Sequence, residues 1–167
     1  MFDLGRFREA QDGTPGFAEA LEELRAGAKA GHWIWYVFPQ LRGLGQSPMA
    51  VRYGLEGPQE AAAYLDDPLL ADRLAAATAA VRVHLTSPDP MPLEELMGSE
   101  IDALKLVSSM TLFSQVARAE HARRPRALLA ALAEDAHAIL DAAAAQGLQP
   151  CSFTERQLAA GSGRHPR

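Results

Sequence analysis

The sequence predicts an all-α protein, folded as a single compact, irregular bundle of about seven or eight helices with a long aromatic and glycine-rich loop. Alanine occurs 32 times, whereas valine and isoleucine together occur 9 times. Alanine is the best helix former and β-branched residues prefer strands, so this composition favours helices. Prolines and glycines divide the chain into segments of helical length, and apolar residues recur within them at spacings of three and four.

Length and charge limit the classes of function. A chain of 167 residues is long enough for one domain with a core. Its net charge of -5 argues against a surface for nucleic acid or anionic membranes, because both require basic residues. The charged amino terminus predicts no signal peptide, and no window approaches the roughly 20 apolar residues of a membrane span. The single cysteine, Cys151, suits a reducing compartment, so we expect a cytoplasmic protein.

Helices are predicted from the amino terminus as follows. A short helix follows Asp3 and ends near Gly13. Thr14 then caps a second helix, which has Pro15 at its first position and is stopped by Gly31. The apolar stripe of this second helix consists of Phe17, Leu21, Leu24 and Ala28.

Turn-forming residues predict a loop between Pro39 and Pro48 and a short helix from there to Tyr53. Gly57 and Pro58 open the next helix. Asp67 caps a longer one that runs to about Leu85. Its predicted buried stripe consists of Leu70, Leu74, Ala77, Val81 and Leu85. Three prolines make residues 87–92 a rigid connector.

Four further helices are predicted in the carboxyl-terminal half. Pro92 starts a short one that Gly98 ends, and Ser99 with Asp102 forms a capping-box-like start for a helix that ends near Arg118. The next runs from Pro125 to Gly147 and buries Leu128, Leu132, Ala136, Ile139 or Leu140, and Ala143. Ser152 and Glu155 match a capping box that starts the last helix. We expect residues 1–160 to form the domain and residues 161–167 to be a disordered tail.

The stretch AGHWIWYVFPQLRGLGQSP, residues 30–48, is the first candidate site. It contains four of the eleven aromatic residues of the chain, and two of these four are its only tryptophans. In an extended conformation the apolar side chains of this stretch would point to both sides, and in a helix to nearly every face. Other parts of the protein must therefore cover it on more than one side. One interpretation is that its rings anchor a loop in the core. The other is a pocket wall, because His32, Tyr36, Gln40 and Arg42 bring polar groups to the same place. The backbone at Gly43 and Gly45 could approach an anion, although such a pair is more often a turn.

The stretch SEIDALKLVSSMTLFSQ, residues 99–115, is the second candidate. On a helix, Asp102, Lys105 and Ser109 share a face, and Ser108, Thr111 and Gln115 form a neighbouring polar strip. The opposite face carries Ala103, Leu106, Met110, Phe113 and Ala117. So many polar side chains indicate a polar cavity or bonds to neighbouring loops. The alternative is a solvent-facing Asp–Lys pair with ordinary surface serines.

Lysine usage adds one observation. Fourteen of the sixteen basic residues are arginine, and the two lysines, Lys29 and Lys105, belong to the two candidate stretches. A desolvated lysine can act as a base toward a nearby hydroxyl, so Lys105 with Ser108 or Ser109 is a conceivable but unspecific nucleophile pair. We predict no metal site: Glu134 and His137 match half of a di-iron motif without its second half, and the one cysteine lacks partners for zinc.

Three segments carry a family resemblance: GAKAGHWIWYVFPQLRGLGQSP, then EAAAYLDDPLLADRL, then GSEIDALKLVSSMTLF. In order and spacing they resemble the family called domain of unknown function 1810, over about residues 2–120. The resemblance implies an all-helical fold and no established activity. The motif positions that it implies are Lys29, His32, Trp33, Trp35, Phe38, Pro39, Gln40, Gly43, Gly45, Ser47, Asp102, Lys105, Ser108, Ser109, Thr111 and Phe113. Members are sometimes labelled calpastatin, a label that fits poorly because a calpastatin-like inhibitor is disordered.

Together these observations predict that the protein binds a small polar or nucleotide-like metabolite in a cleft between the aromatic loop, residues 32–47, and the helix at 99–117. Whether it is an enzyme stays open, and no cofactor is indicated. The catalytic candidates are His32, Lys105, Asp102, Ser108 and Ser109. The ligand-binding candidates are Lys29, Trp33, Trp35, Tyr36, Gln40, Gly43, Gly45, Ser47 and Thr111. The alternatives are a protein-interaction module that docks a partner on an aromatic surface, and a purely structural role.

Overall fold

The computed structural model describes residues 1–162, which form ten helices and no β-strand. The helices are α1 (Gly5–Asp12), α2 (Phe17–Ala26), α3 (Ile34–Val37), α4 (Pro48–Tyr53), α5 (Pro58–Asp66), α6 (Pro68–Leu85), α7 (Leu93–Met97), α8 (Glu100–Arg123), α9 (Ala127–Ala145) and α10 (Ser152–Ser162). A single β-bridge in this part of the chain joins Leu41 to Leu55. The predicted all-α class is confirmed. None of the helices described is long and apolar enough to span a membrane.

The core is built around α8, which packs against α5, α7, α9 and α10, while α9 also packs on α6. The predicted apolar stripes of α6 and α8 are buried throughout. Of the polar positions of α8, Ser108, Ser109 and Thr111 are buried as well, whereas Asp102, Lys105 and Gln115 are half-buried. The alternative of ordinary surface serines is therefore wrong. Every residue of α8 from Leu106 to Ser114 is buried, whereas Ile101 and Leu104 at its start are exposed.

Capping side chains start several helices, as predicted for Asp67 and Ser99 and found in addition at Ser47. The hydroxyl of Ser47 accepts a hydrogen bond from the backbone N–H of Ala50, and the hydroxyl of Ser99 accepts one from that of Asp102. The carboxylate of Asp67 accepts the first two N–H groups exposed at the start of α6. These side chains satisfy donors that a helix leaves unpaired at its amino end.

The predicted bounds of α2 are wrong at both ends. The helix begins after Gly16, whose N–H donates to Glu19 at 3.0 Å. The chain before it is folded tightly, since a Cβ on Gly16 would lie 2.3 Å from the carbonyl oxygen of Gly13. Thr14 and Pro15 lie in this turn. At the other end Gly27, with φ of 77°, ends the helix before Gly31.

The carboxyl-terminal helices also depart from the prediction. Helix α8 continues to Arg123, and in α9 Leu129 takes the buried position predicted for Leu128. Ser152 is already helical, so Cys151 rather than Ser152 occupies the cap position of α10. This helix extends through Ser162, and the rest of the predicted tail, residues 163–167, lies outside the described residues.

Candidate functional site

The two lysines of the chain meet at one carboxylate. The Lys29 ammonium lies 2.7 Å from Oδ2 of Asp102, and the Lys105 ammonium lies 3.7 Å from Oδ1. The Lys29 side chain is 4% exposed, whereas those of Asp102 and Lys105 are 19% and 23% exposed. The segment before the aromatic stretch therefore contacts the first turn of α8. Two cations share the one carboxylate of Asp102, and the closer of them is Lys29, so Asp102 neutralises the charge of Lys105 only in part.

Each lysine also lies over a tryptophan. The Lys29 ammonium is 4.8 Å from the centre of the Trp33 ring, and the Lys105 ammonium is 5.2 Å from that of Trp35. Such cation–π contacts are more favourable when desolvated. The Lys29–Trp33 pair is closed off from solvent, because Trp33 is fully buried. The Lys105–Trp35 pair is partly open to solvent, because Trp35 is half-buried.

Glu23 holds the turn that leads into the aromatic stretch. Its carboxylate accepts hydrogen bonds from the N–H groups of Ala30 and Gly31 at 2.6 and 2.7 Å and from Nε1 of Trp33 at 3.1 Å. Burial raises the pKa of Glu23, but these hydrogen bonds and the charge of Lys29 outweigh it, so the pKa lies below its ordinary value. Sequence reasoning missed Glu23, because nothing local relates it to residues seven to ten positions later.

Lys29 is held by the backbone as well as by its charge. Its N–H donates to the carbonyl of Leu96 at 2.9 Å, and its ammonium donates to the carbonyl of Gly31 at 2.6 Å. Gly98, at the turn between α7 and α8, has φ of 82°, and a Cβ there would lie 2.8 Å from the Lys29 carbonyl oxygen. This close approach sets the position of Asp102 relative to Lys29.

Two buried polar atoms next to this cluster in sequence have no hydrogen-bond partner among the described residues: Nε1 of Trp35 and Oγ of Ser109. Native proteins leave few such atoms unpaired. The hydroxyl of the neighbouring Ser108 donates to the backbone carbonyl of Leu104 at 3.0 Å, and the Lys105 ammonium pairs with Asp102. Neither serine hydroxyl is hydrogen-bonded to Lys105 in the structure.

A family model described as protein of unknown function (DUF1810) matches residues 1–142. The chain belongs to the DUF1810 family. It is also similar to a solved structure, the conserved hypothetical protein Rv1873 from Mycobacterium tuberculosis. The two share 43% identity over 95% of this chain and 97% of that chain, with a TM-score of 0.75. A comparison with curated proteins finds no match.

The other aromatic candidates of this DUF1810 protein face the core. Tyr36 and Phe38 are buried. The Tyr36 hydroxyl donates to the carbonyl of Pro15, and its ring meets that of Tyr53 edge-on at 5.3 Å. Burial is the main reason that the pKa of Tyr36 is raised. His32, by contrast, is exposed and makes no hydrogen bond or ion pair within the described part of the chain.

The remaining loop candidates have local structural partners. Gln40 is buried, and its backbone carbonyl accepts a hydrogen bond from the backbone N–H of Leu55 at 3.0 Å. Ser47 caps α4. A Cβ on Gly45 would lie 2.9 Å from that of Ala50, and one on Gly43, whose φ is 105°, would lie 3.0 Å from the ring of Phe153. The glycines thus permit close packing of the loop.

Helix α10 contacts both walls of the predicted cleft. At its start, the N–H of Cys151 donates to the Thr111 hydroxyl at 3.1 Å, and Phe153 packs under the loop at Gly43. At its end lie two adjoining depressions of about 260 and 290 Å³ that share Pro58 and Gly161. One is lined by Gln115 and Val116 of α8 and the other by Leu41 and Arg42 of the loop. The aromatic stretch contacts α8 directly where the Lys105 ammonium lies over the Trp35 ring.

Groups of three or more residues suited to hold a metal ion are absent from residues 1–162. His137 and Asp141 lie 3.4 Å apart on the exposed face of α9, and Glu134 is bound to Arg82 instead. Arg82 also binds Asp135 at 2.6 Å. These contacts are typical of a solvated helix surface.

Proposed function

We propose that this protein binds a small polar metabolite that carries an anionic group and a planar group, such as a nucleotide-like molecule, at the edge formed by Trp35, Asp102 and Lys105. The proposal rests on one observation: the Lys105 ammonium lies over the half-buried ring of Trp35 and shares its carboxylate with a second lysine. Because Lys29 is the closer partner of Asp102, the charge of Lys105 is only partly neutralised.

The chemistry of this edge suits such a ligand. The exposed part of the Trp35 ring can stack on a planar group, and the Lys105 ammonium has donors for phosphate or carboxylate oxygens. The unpaired indole N–H of Trp35 is a further donor if its surroundings adjust on binding. Among the ligand-binding candidates, Lys29 and Trp33 are buried beneath this edge. In this proposal they hold Asp102 in place and do not contact the ligand.

The interaction-module alternative has less support from the geometry. A docking patch needs several exposed rings, and three of the four aromatic residues of the stretch, Trp33, Tyr36 and Phe38, are buried. Exposure of Trp35 alone gives a small contact area. The buried rings support the core-anchor interpretation for most of the stretch, so the proposed site is confined to Trp35 and its neighbours.

A thermal-shift series with three probes tests the proposal. We expect adenosine monophosphate to raise the Tm, whereas adenosine, which lacks the phosphate, and ribose 5-phosphate, which lacks the planar group, shift it less. A ligand at 100 times its Kd stabilises by about 2.7 kcal/mol. Lys105→Gln should abolish the shift. Arg52→Gln is the matched control, because the Arg52 guanidinium also lies over an aromatic ring, that of Tyr53, at 5.5 Å.

Tryptophan fluorescence gives a second readout. The chain has two tryptophans, and only the half-buried Trp35 should respond to a stacked ligand. Quenching by adenosine monophosphate should therefore disappear in Trp35→Phe. If no anionic planar probe changes the Tm or the fluorescence, or if Arg52→Gln loses the response as fully as Lys105→Gln, the proposal is wrong.

A further inference from the structure

Two exposed apolar side chains lie next to Lys105 in the first turns of α8. Ile101 is 65% exposed and Leu104 is 46% exposed. Isolated exposed apolar residues are ordinary in soluble proteins, whereas adjoining ones need an explanation. The other exposed large hydrophobic residues within residues 1–162 are Met1, Val51, Leu69 and Val83, and none of them has a second one within a helical turn. Ile101 and Leu104 are therefore the pair to explain.

Helix geometry places this pair beside the Lys105 ammonium. Positions 101, 104 and 105 are spaced by three and four residues, so their side chains are neighbours on one face of α8. Side chains of a helix lean toward its amino terminus, and the Lys105 ammonium does so, because it lies 3.7 Å from Asp102. Around the helix, Lys105 lies between Ile101 on one side and Asp102 on the other. The aromatic stretch approaches from the Asp102 side, since Lys29 binds that carboxylate.

The face that Ile101 and Leu104 share ends at Ser108. This serine is 8% exposed, and its hydroxyl donates to the Leu104 carbonyl at 3.0 Å, so that face presents no free hydroxyl there. One turn further on, the start of α10 covers the helix, because the N–H of Cys151 donates to the Thr111 hydroxyl at 3.1 Å. From position 101 to position 108 a helix rises about 10 Å. The strip therefore has room for a short aliphatic chain.

The charge at the border of this strip is positive. Asp102 lies closer to Lys29 than to Lys105, so the charge of Lys105 is only partly neutralised. Glu100, the acidic residue before the strip, projects about 140° away from Lys105 around the helix. An ammonium beside exposed aliphatic side chains complements an anionic group that carries an aliphatic substituent.

We infer that the ligand of this edge is substituted on both sides of its anionic group. Its planar group stacks on Trp35, its anion pairs with Lys105, and an aliphatic chain lies along Ile101 and Leu104. This inference rests on the proposed function and narrows its ligand to one class, the alkyl or acyl phosphate esters of a nucleoside-like molecule. The chain loses contact with water on the strip, which contributes to the affinity in proportion to the apolar area covered.

The methyl and hexyl phosphodiesters of adenosine monophosphate test the inference. The two esters have the same charge and the same planar group, so a difference in their Kd reports the aliphatic chain. We expect the hexyl ester to bind about tenfold more tightly, because its additional methylenes are partly removed from water. Titration calorimetry at several temperatures should also give it a more negative heat-capacity change of binding. Equal Kd values for the two esters overturn the inference.

Variants of the strip locate the chain. Ile101→Ser and Leu104→Ser remove aliphatic surface at exposed positions, where substitutions rarely destabilise a fold. Each should bring the ratio of the two Kd values closer to one. Val83→Ser, at a 67% exposed position of α6, is the matched control and should keep the wild-type ratio. A ratio that stays at the wild-type value in both strip variants overturns the inference.

Adenosine monophosphate separates failure of this inference from failure of the proposed function. If it binds and the two esters bind equally, the proposed site stands and the chain does not lie on the strip. If neither it nor either ester binds, the proposed function is wrong and this inference fails with it. Light scattering of the free protein examines another occupant of the strip. A dimer that Ile101→Ser dissociates would show that a second copy of the chain covers Ile101 and Leu104, and would overturn the inference.

Discussion

The Lys29 ammonium lies 2.7 Å from the Asp102 carboxylate and joins the chain before the aromatic stretch to the first turn of α8. The lysine is the buried partner and the aspartate is the partly exposed one. Removal of the aspartate charge would leave a buried ammonium without its counter-ion. Asp102 therefore matters for stability whatever role it has in binding.

Asp102→Asn should lower the free energy of unfolding by about 3 kcal/mol, because loss of one partner from a buried ion pair typically costs about 3–5 kcal/mol and this pair is partly exposed. Lys105→Gln should cost less, about 1 kcal/mol, because this ion pair is longer, at 3.7 Å, and both partners are partly exposed. Urea unfolding of both variants measures the difference. Equal losses would contradict the assignment of Lys29 as the main partner of Asp102.

The two tryptophans should differ in their contribution to stability. Trp33 is fully buried, so Trp33→Ala should cost about 3–5 kcal/mol. Trp35 is half-buried, and Trp35→Ala should cost about half of that. Chemical denaturation of the two variants checks the order. A larger loss for Trp35→Ala would contradict the proposal that this ring lies at a binding edge.

Gly98 and Gly147 form a matched pair for the contact with Lys29. Both have positive φ, 82° and 90°, so alanine at either position should cost about 1 kcal/mol for the left-handed conformation. At Gly98 the added Cβ would also lie 2.8 Å from a backbone oxygen, whereas at Gly147 it meets no atom within 4 Å. Gly98→Ala should therefore lower the Tm distinctly more than Gly147→Ala. Similar losses would show that the chain at Lys29 moves freely.

The lowered pKa of Glu23 predicts a pH dependence of stability. The unfolded carboxyl binds a proton more readily than the folded one, so the stabilisation is fully present above the ordinary pKa of 4.5 and is lost as the pH falls through the lower folded value. Wild type should thus lose stability on acidification more steeply than Glu23→Gln. Urea unfolding at pH 7 and below pH 4.5 measures the two slopes, and Glu22→Gln, on the exposed side of α2, is the control. Parallel slopes for wild type and Glu23→Gln would contradict this role.

Much of the fold was predictable because its signals are local. A proline at the first position or a capping side chain acts within one helical turn, and this places the starts of α4, α5, α6 and α8. The apolar spacing of α6 identified its buried face for the same reason. At α2 two glycines were available to end the helix, and the left-handed conformation of Gly27 decided between them.

The candidate site was predictable only in part. The residue types of the two motif stretches pointed to Lys29, Trp35, Asp102 and Lys105, and the structure brings these four together. The contribution of Glu23 was not predicted. Glu23 acts on N–H groups beyond the end of its own helix, at Ala30 and Gly31.

By itself the sequence determined that this chain is helical, where most of the helices begin and which faces of α6 and α8 are apolar. These properties depend on backbone geometry and on neighbours within about four residues. The tertiary structure alone decided that Trp33, Tyr36 and Phe38 fill the core while Trp35 reaches the surface, and that α10 covers the hydroxyl-bearing side of α8. Those outcomes depend on which apolar surfaces pack together and exclude water. Such surfaces belong to residues far apart in the sequence, so local patterns do not reveal them.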